Sequence, residues 1–241
     1  MRVPSETYNR QLVKIRHGQS IKVVMTGVMM AAVFVCSAQE DKKVALPITL
    51  PKALFEGTPG GIQGVRLDPV NKAKKRGAFM VPAGTALLSS KKTVTASDPV
   101  TLVGTLDQVT DGDKEGADGS FMALGPGSQW IQIDLGSTES LYAIMVWHYH
   151  KMARVYRDVV VQVADDADFI TNVRTLFNND SDNSSGLGIG RDYEYIETNE
   201  GKLIDGRGEK GRYVRLYSKE NTADGANHYI EVEIYGKPAV K

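Results

Sequence analysis

Residues 109–136 read VTDGDKEGADGSFMALGPGSQWIQIDLG. An acidic loop punctuated by glycines leads into a short run in which apolar and polar side chains alternate. Ile131, Ile133 and Leu135 fall on one face, and Trp130, Gln132 and Asp134 on the other. That period of two belongs to a half-buried strand. Near the end of the chain, YIEVEIYG at 229–236 repeats the same texture.

Working outward, residues 141–147 (LYAIMVW) are apolar almost throughout, as a central strand covered on both faces would be. Residues 93–96, 158–163 and 213–217 are further β-rich runs, separated by turn residues such as Asp98-Pro99. Residues 165–169 and 177–183 read as turns. Many short strands with polar, glycine-rich connections, and no long segment of helical period, predict an all-β antiparallel sandwich. Residues 178–191 (NNDSDNSSGLGIGR) form a long connection between strands, acidic first and glycine-rich after. A loop of that length is expected to be functional or disordered.

The order D-G-D loop, then W-I-Q-I-D-L-G, then a terminal E-x-E-x-Y-G resembles the discoidin (F5/8 type C, galactose-binding-like) domains and the related family 32 carbohydrate-binding modules. The resemblance covers residues 81–238. It implies a discoidin-like jelly roll that binds surfaces or glycans without catalysis. It also implies a structural calcium ion held by Asp111, Asp113 and Glu231, which would clasp the loop to the last strand. Where the family's pattern has a threonine ligand this chain has Gly116, with Asp118 close by as a carboxylate. Calcium takes six to eight oxygen ligands, so a plain acidic solvent loop is the alternative. An EF-hand is the weaker rival, because Met122 occupies the twelfth position and strands flank the loop.

The first residues read as an export signal. Arg2, Arg10, Lys14, Arg16 and Lys22 stand against the single acid Glu6, then residues 23–36 are apolar or small, and Cys36-Ser37-Ala38 offers a small-x-small exit. That 14-residue run is short for a bilayer span, which needs about 20 residues. The expected organisation is a signal peptide at 1–38, a proline- and glycine-rich linker or irregular strap at 39–80, and the sandwich at 81–238. The full chain has 29 basic and 29 acidic residues. Removing five bases and one acid with the signal leaves 24 against 28, so nothing in the balance favours nucleic acid. The one cysteine leaves with the signal. The expected location is secreted, periplasmic or cell-surface, with no stable membrane span after cleavage.

Sugars are held by aromatic faces together with amide, imidazole and guanidinium groups. His148, Tyr149, His150, Arg154, Asn227 and His228 are of the right types at strand ends. His148 and His150 also have a His-x-His metal spacing, but Arg154 and Val155 stand where a third, carboxylate ligand would be needed. There is no G-x-S-x-G elbow, and A-D-D-A-D-F at 164–169 fits a solvated turn better than a pair of catalytic carboxylates. The sequence therefore points to an exported, non-enzymatic module for a carbohydrate or cell-surface glycoconjugate. An envelope-protein scaffold using residues 178–191 as its contact loop is the alternative.

Overall fold

The structure, a computed structural model, describes residues 42–55, 62, 64, 66–68 and 76–239. The segment read as an export signal lies outside the described residues. Among those described, no helix is long and apolar enough to cross a membrane.

The strands are β1 (Lys43–Ala45), β2 (Met80–Pro82), β3 (Ala86–Leu87), β4 (Val94–Ala96), β5 (Met122–Leu124), β6 (Ser128–Trp147), β7 (Tyr156–Ala164), β8 (Arg174–Asn178), β9 (Lys202–Asn221), β10 (Asn227–Tyr229) and β11 (Glu231–Pro238). A short 3-10 helix, Leu106–Thr110, precedes the acidic loop. Seven strands form one antiparallel sheet in the order β3-β11-β6-β9-β7-β8, with β4 added to β6.

That sheet folds over on itself to make the sandwich. The first half of β6 pairs with the second half of β9 (Ile131↔Leu216, Ile133↔Val214), and the second half of β6 with the first half of β9 (Ile144↔Ile204). The register breaks between Asp134 and Glu139, where Gly136 takes φ +86°. A side chain there would be strained, so glycine lets the strand turn the corner. Strands that pass from one layer to another through a bend are a usual way of closing sandwiches. Ile131, Ile133, Val161, Val163, Val214 and Leu216 from one layer then meet Leu141, Ile144, Val146, Ile204, Val232 and Ile234 from the other in a single core.

The strand at 141–147 is covered on both sides, as its composition predicts. A second register shift between Leu141 and Ala143 resets the alternation. Leu141, Ile144 and Val146 face the sandwich core, while Ala143, Met145 and Trp147 face outward. The outward set is covered by Leu46 and Val81, with Ile48 and Phe79 packed alongside. Those residues come from the β1–β2 ribbon, in which Val44 pairs Val81. Trp147 Nε1 donates to Asn199 O at 2.9 Å, and Asn199 Nδ2 to Pro51 O at 3.0 Å, which ties the proline-rich segment down. The described parts of residues 42–79 therefore include an outer lid on the first layer.

Two local expectations change. Phe177 and Asn178 end strand β8, paired to Val161 and Val160, so the turn begins after them. The first half of β9 (KLIDGRGEKG) pairs with β6 despite its glycines and charges, because a covered neighbour supplies the ladder.

Trp147→Ala is expected to lower stability by about 3–5 kcal/mol, the usual cost of deleting a buried large aromatic side chain. Equilibrium urea unfolding measures it; a loss below about 1 kcal/mol would show that the ribbon is not seated on this face.

Candidate functional site

The acidic loop and the last strand meet. Gly112, at φ +92°, donates its amide to Glu231 Oε2 at 3.1 Å. Asp111 Oδ1 accepts the Asp113 amide at 2.7 Å, and Asp113 Oδ1 the Glu115 amide at 2.9 Å, which curls the loop. Asp111 and Asp113 are exposed, whereas Glu231 is buried. Burial, with Glu233 and Asp111 adding repulsion, pushes the Glu231 carboxyl up to about 9. Glu233 has its own cation, Lys114 Nζ at 2.7 Å, and accepts from Tyr235 Oη at 2.7 Å.

A carboxyl that is buried, raised and next to Asp111 is a group whose ionised form needs a cation. The oxygen donors of Asp111, Asp113 and Glu231 are of the kind calcium takes. Each has one oxygen engaged by a backbone amide, from Asp113, Glu115 and Gly112 respectively. Among the described residues, the three carboxylates that come within 4.8 Å of one another are elsewhere: Asp158, Asp180 and Asp182.

That second group explains the order in residues 178–191. Asp180 is fully buried and accepts amides from Asp182, Ser184 and Ser185, at 3.2, 3.2 and 2.9 Å. Lys219 Nζ lies 3.8 Å from Asp158. The loop is folded around its own carboxylate, and Arg66 crosses it with a bond to Gly190 O.

The six residues expected to contact ligand gather at the end of the sandwich where β6 stops. They divide by exposure. His148 is fully buried; its Nδ1 lies 2.7 Å from Glu197 Oε1, and its ring stacks on Tyr156 with centroids 4.3 Å apart. His150 is also fully buried, and its Nε2 donates to Lys114 O at 2.9 Å. Asn227 has every polar atom engaged: Oδ1 accepts from Ser218 Oγ and the Glu220 amide, and Nδ2 donates to Gly125 O and Gly127 O. Arg154 is buried over the Tyr149 ring at 4.6 Å, with Nη1 3.1 Å from Asp224 Oδ2.

The surface of this end is made by Phe121 and His228, packed over the buried ring of Tyr149. Their rings lie 4.9 Å (Phe121–Tyr149), 5.7 Å (Phe121–His228) and 5.6 Å (Tyr149–His228) apart. Phe121 and His228 are half-buried, and Asp224 is exposed beside them. Burial lowers His228 to about 4, with Arg154 adding to the effect. Its ring is therefore neutral at pH 7. Burial pushes the Tyr156 phenol well up, so it keeps its proton. Tyr156 Oη lies 3.0 Å from His228 Nδ1, a hydrogen bond in which the direction depends on the imidazole tautomer. His228 Nε2 has no protein partner among the described residues, and it carries the ring proton in the tautomer whose Nδ1 accepts from the phenol.

Phe121, Glu197 and Asp224 are the participants that sequence reasoning missed. Phe121 sits inside the opening stretch, one residue before β5, where an aromatic residue reads as core. Glu197 and Asp224 lie in loops whose composition gives no sign of what they touch.

No protein-family model matches the chain, and no curated protein matches it. In fold, the chain is similar to three carbohydrate-binding modules of known structure. The CBM32 of AlyQ, in complex with 4,5-unsaturated mannuronic acid, shares 16% identity over 59% of this chain and 92% of that one, with a TM-score of 0.43. Chitosan-binding module 1 from the chitosanase/glucanase of Paenibacillus sp. IK-5 shares 21% over 63% and 99%, with a TM-score of 0.42. The Clostridium perfringens CBM32-5, in complex with GalNAc-β-1,3-galactose, shares 14% over 62% and 99%, with a TM-score of 0.44. In longer enzymes the matching part is a fraction: the chain spans 34% of a truncated AlyQ and 15% of a Clostridium perfringens family 89 glycoside hydrolase. The expected all-β antiparallel sandwich is the fold observed.

Glu231 gives the end of β11 a pH dependence whose sign is fixed. Its folded pKa of about 9 exceeds the ordinary 4.5, so its contribution is fully present below about pH 4.5 and is lost as pH rises towards 9. In chelator, stability is expected to fall across that window by up to about 1.4 kcal/mol per pH unit. Glu231→Gln should flatten the profile. Thermal melts from pH 5 to 9 test this, and an unchanged slope in the variant would place the effect on another group.

Proposed function

We propose that this chain is an exported, non-catalytic module that binds a carbohydrate at the Phe121–Tyr149–His228 end of its sandwich, with a structural calcium ion at Asp111, Asp113 and Glu231. The observation that carries the reading is the pairing of aromatic carbon with a neutral imidazole. His228 is half-exposed, and when the Tyr156 hydroxyl donates to Nδ1 the ring proton sits on Nε2. Rings supply C–H packing surface, while the imidazole Nε2–H and the exposed Asp224 carboxylate offer a hydroxyl one donor and one acceptor. A few oriented polar groups in a mainly apolar setting are what small-ligand sites are made of.

The buried members support that surface from beneath. Arg154 anchors Tyr149 by its guanidinium face and holds Asp224 by an ion pair. Asn227 joins the loop at 125–127 to β9, which fixes the strand that carries His228. Non-catalysis is supported by the interior placement of His148 and Glu197, which puts the one buried imidazole–carboxylate pair among the described residues out of a substrate's reach. It is supported too by Asp166, whose carboxylate is spent on the amides of Asp168, Ile170 and Thr171 in the turn after β7. The calcium ion would use its ligands on the loop and on β11 and leave chemistry to neither.

A glycan array followed by titration calorimetry tests the reading. His228→Ala and Phe121→Ala are each expected to weaken the selected sugar at least about tenfold, the effect of losing one well-placed hydrogen bond or ring contact. Silence across sugars, with capture of an envelope protein that depends on residues 178–191, would replace the carbohydrate by a protein ligand. Calcium at about 100 times its dissociation constant should add about 2.7 kcal/mol. For a chain of this size that is a rise in Tm on the order of 5–10 °C. Asp111→Ala should abolish the rise; an equal rise in the variant would remove the ion from this loop.

A further inference from the structure

The outer face of the second layer carries a row of side chains that neither the fold nor the sandwich-end site uses. The register places Thr95 opposite Gln132, Gln132 opposite Arg215, Arg215 opposite Gln162, and Gln162 opposite Thr175. These five residues cross β4, β6, β9, β7 and β8 in one line. Because the inward neighbours Ile133, Val214, Leu216, Val161 and Val163 belong to the core, the line lies on the outside. At about 4.8 Å per strand it runs for roughly 19 Å.

Its centre is a prepared cation. The Arg215 guanidinium lies 4.3 Å from the Trp130 ring centroid and 4.0 Å from that of Phe169. Nε and Nη2 donate to Gln132 Oε1 at 2.9 and 2.6 Å, Nη2 also to Ala167 O, and Nη1 to Tyr217 Oη at 3.3 Å. Every acceptor is neutral. Of the acids nearby, Asp134 pairs with Arg212 at 2.7 and 2.8 Å, Asp165 with Arg174, Asp158 with Lys219 and Glu220 with Arg157; Asp166 gives its carboxylate to the amides of Asp168, Ile170 and Thr171, and the exposed Asp168 forms no ion pair among the described residues. Arg215 forms no ion pair among the described residues, and it is partly exposed, as are Trp130 and Tyr217.

A rigid, aromatic-flanked guanidinium without a carboxylate suits an anionic group brought from outside. On either side of it, Gln132 and Gln162 are buried between their neighbours along most of their length; Gln132 Nε2 forms no hydrogen bond among the described residues, and Gln162 keeps its carbonyl oxygen, since its Nε2 is the atom that bonds Thr175. Hydrogen-bonding groups on both sides of a fixed positive charge, in a straight row beside aromatic carbon, match a linear chain of hydroxylated rings that carries acid groups. We infer that the open face of the β4-β6-β9-β7-β8 layer is a second binding surface, whose ligand is an extended acidic polysaccharide lying across the strands with a carboxylate on Arg215. It stands apart from Phe121, Tyr149 and His228 and does not rest on the reading of that end.

Affinity electrophoresis of the whole chain in gels containing carboxymethyl-dextran or plain dextran tests this, because the two polymers share a backbone and differ in charge. Retardation is expected with carboxymethyl-dextran alone, weakening as salt screens the charge. Arg215→Gln should weaken it about tenfold. Thr95→Asp, an exposed change that leaves the contacts of Arg215 intact, should do so by adding a negative charge to the row. His228→Ala should leave it unchanged, so failure of the sandwich-end site and failure of this surface are told apart. Equal retardation by plain dextran, full retardation of both Arg215→Gln and Thr95→Asp, or loss in His228→Ala would overturn the inference.

Discussion

The rest of the structure depends on β6 and β9 staying paired through both layers. Two twenty-residue strands in register carry one hydrogen-bond ladder around the corner at residues 135–138, so the layers are halves of one ribbon and need no separate docking. The corner fixes which residues oppose one another in the core. It also fixes where β6 ends, and thereby where His148–Arg154 can reach. A slip of one residue would turn Ile131 and Ile133 outward and bring Arg215 and Trp130 into the core, so burial enforces the register strongly.

The bulge near Tyr142 has an equal consequence for the outer face. Without it, strict alternation would put Leu141 on the face of Ala143, Met145 and Trp147 instead of with Ile144 and Val146 in the sandwich core. With it, Ala143, Met145 and Trp147 form a second apolar surface that must be covered, and the β1–β2 ribbon covers it. The two layers therefore have different outsides. The first is roofed by Leu46 and Val81; the second keeps a polar row of Thr95, Gln132, Arg215, Gln162 and Thr175. In a sandwich without cysteine among its described residues, that second apolar cluster supplies stability that cross-links provide in smaller disulfide-bonded domains.

Much of this was legible in the sequence. Alternation in WIQIDL and unbroken apolarity in LYAIMVW depend on local burial, which residue type reports directly. The first half of β9 was not legible, because Gly206, Gly208 and Gly211 weaken the strand signal while pairing to β6 maintains the ladder. Nor was the boundary at residue 80, since Val44 and Val81 pair across it and three-residue strands leave little periodic trace. The meeting of the D-G-D loop with Glu231 was implied by the family resemblance, and the Gly112 amide makes that contact.

The sandwich-end residues show why site prediction from residue types has a physical limit. His148, His150, Arg154 and Asn227 are polar residues near strand ends, where a ligand site needs polar groups. A sandwich end also leaves backbone carbonyls and charges that must be satisfied once covered. Asn227 meets that second demand with four bonds, His150 with the Lys114 carbonyl, and Arg154 with Asp224 and the Tyr149 ring. His228 differs in one respect only: Tyr156 takes one of its nitrogens and leaves the other at the surface. Composition cannot report that difference, because it depends on a contact across 72 residues. The same holds for Arg215, which is conspicuous because of the carboxylates that surrounding arginines and lysines have already claimed.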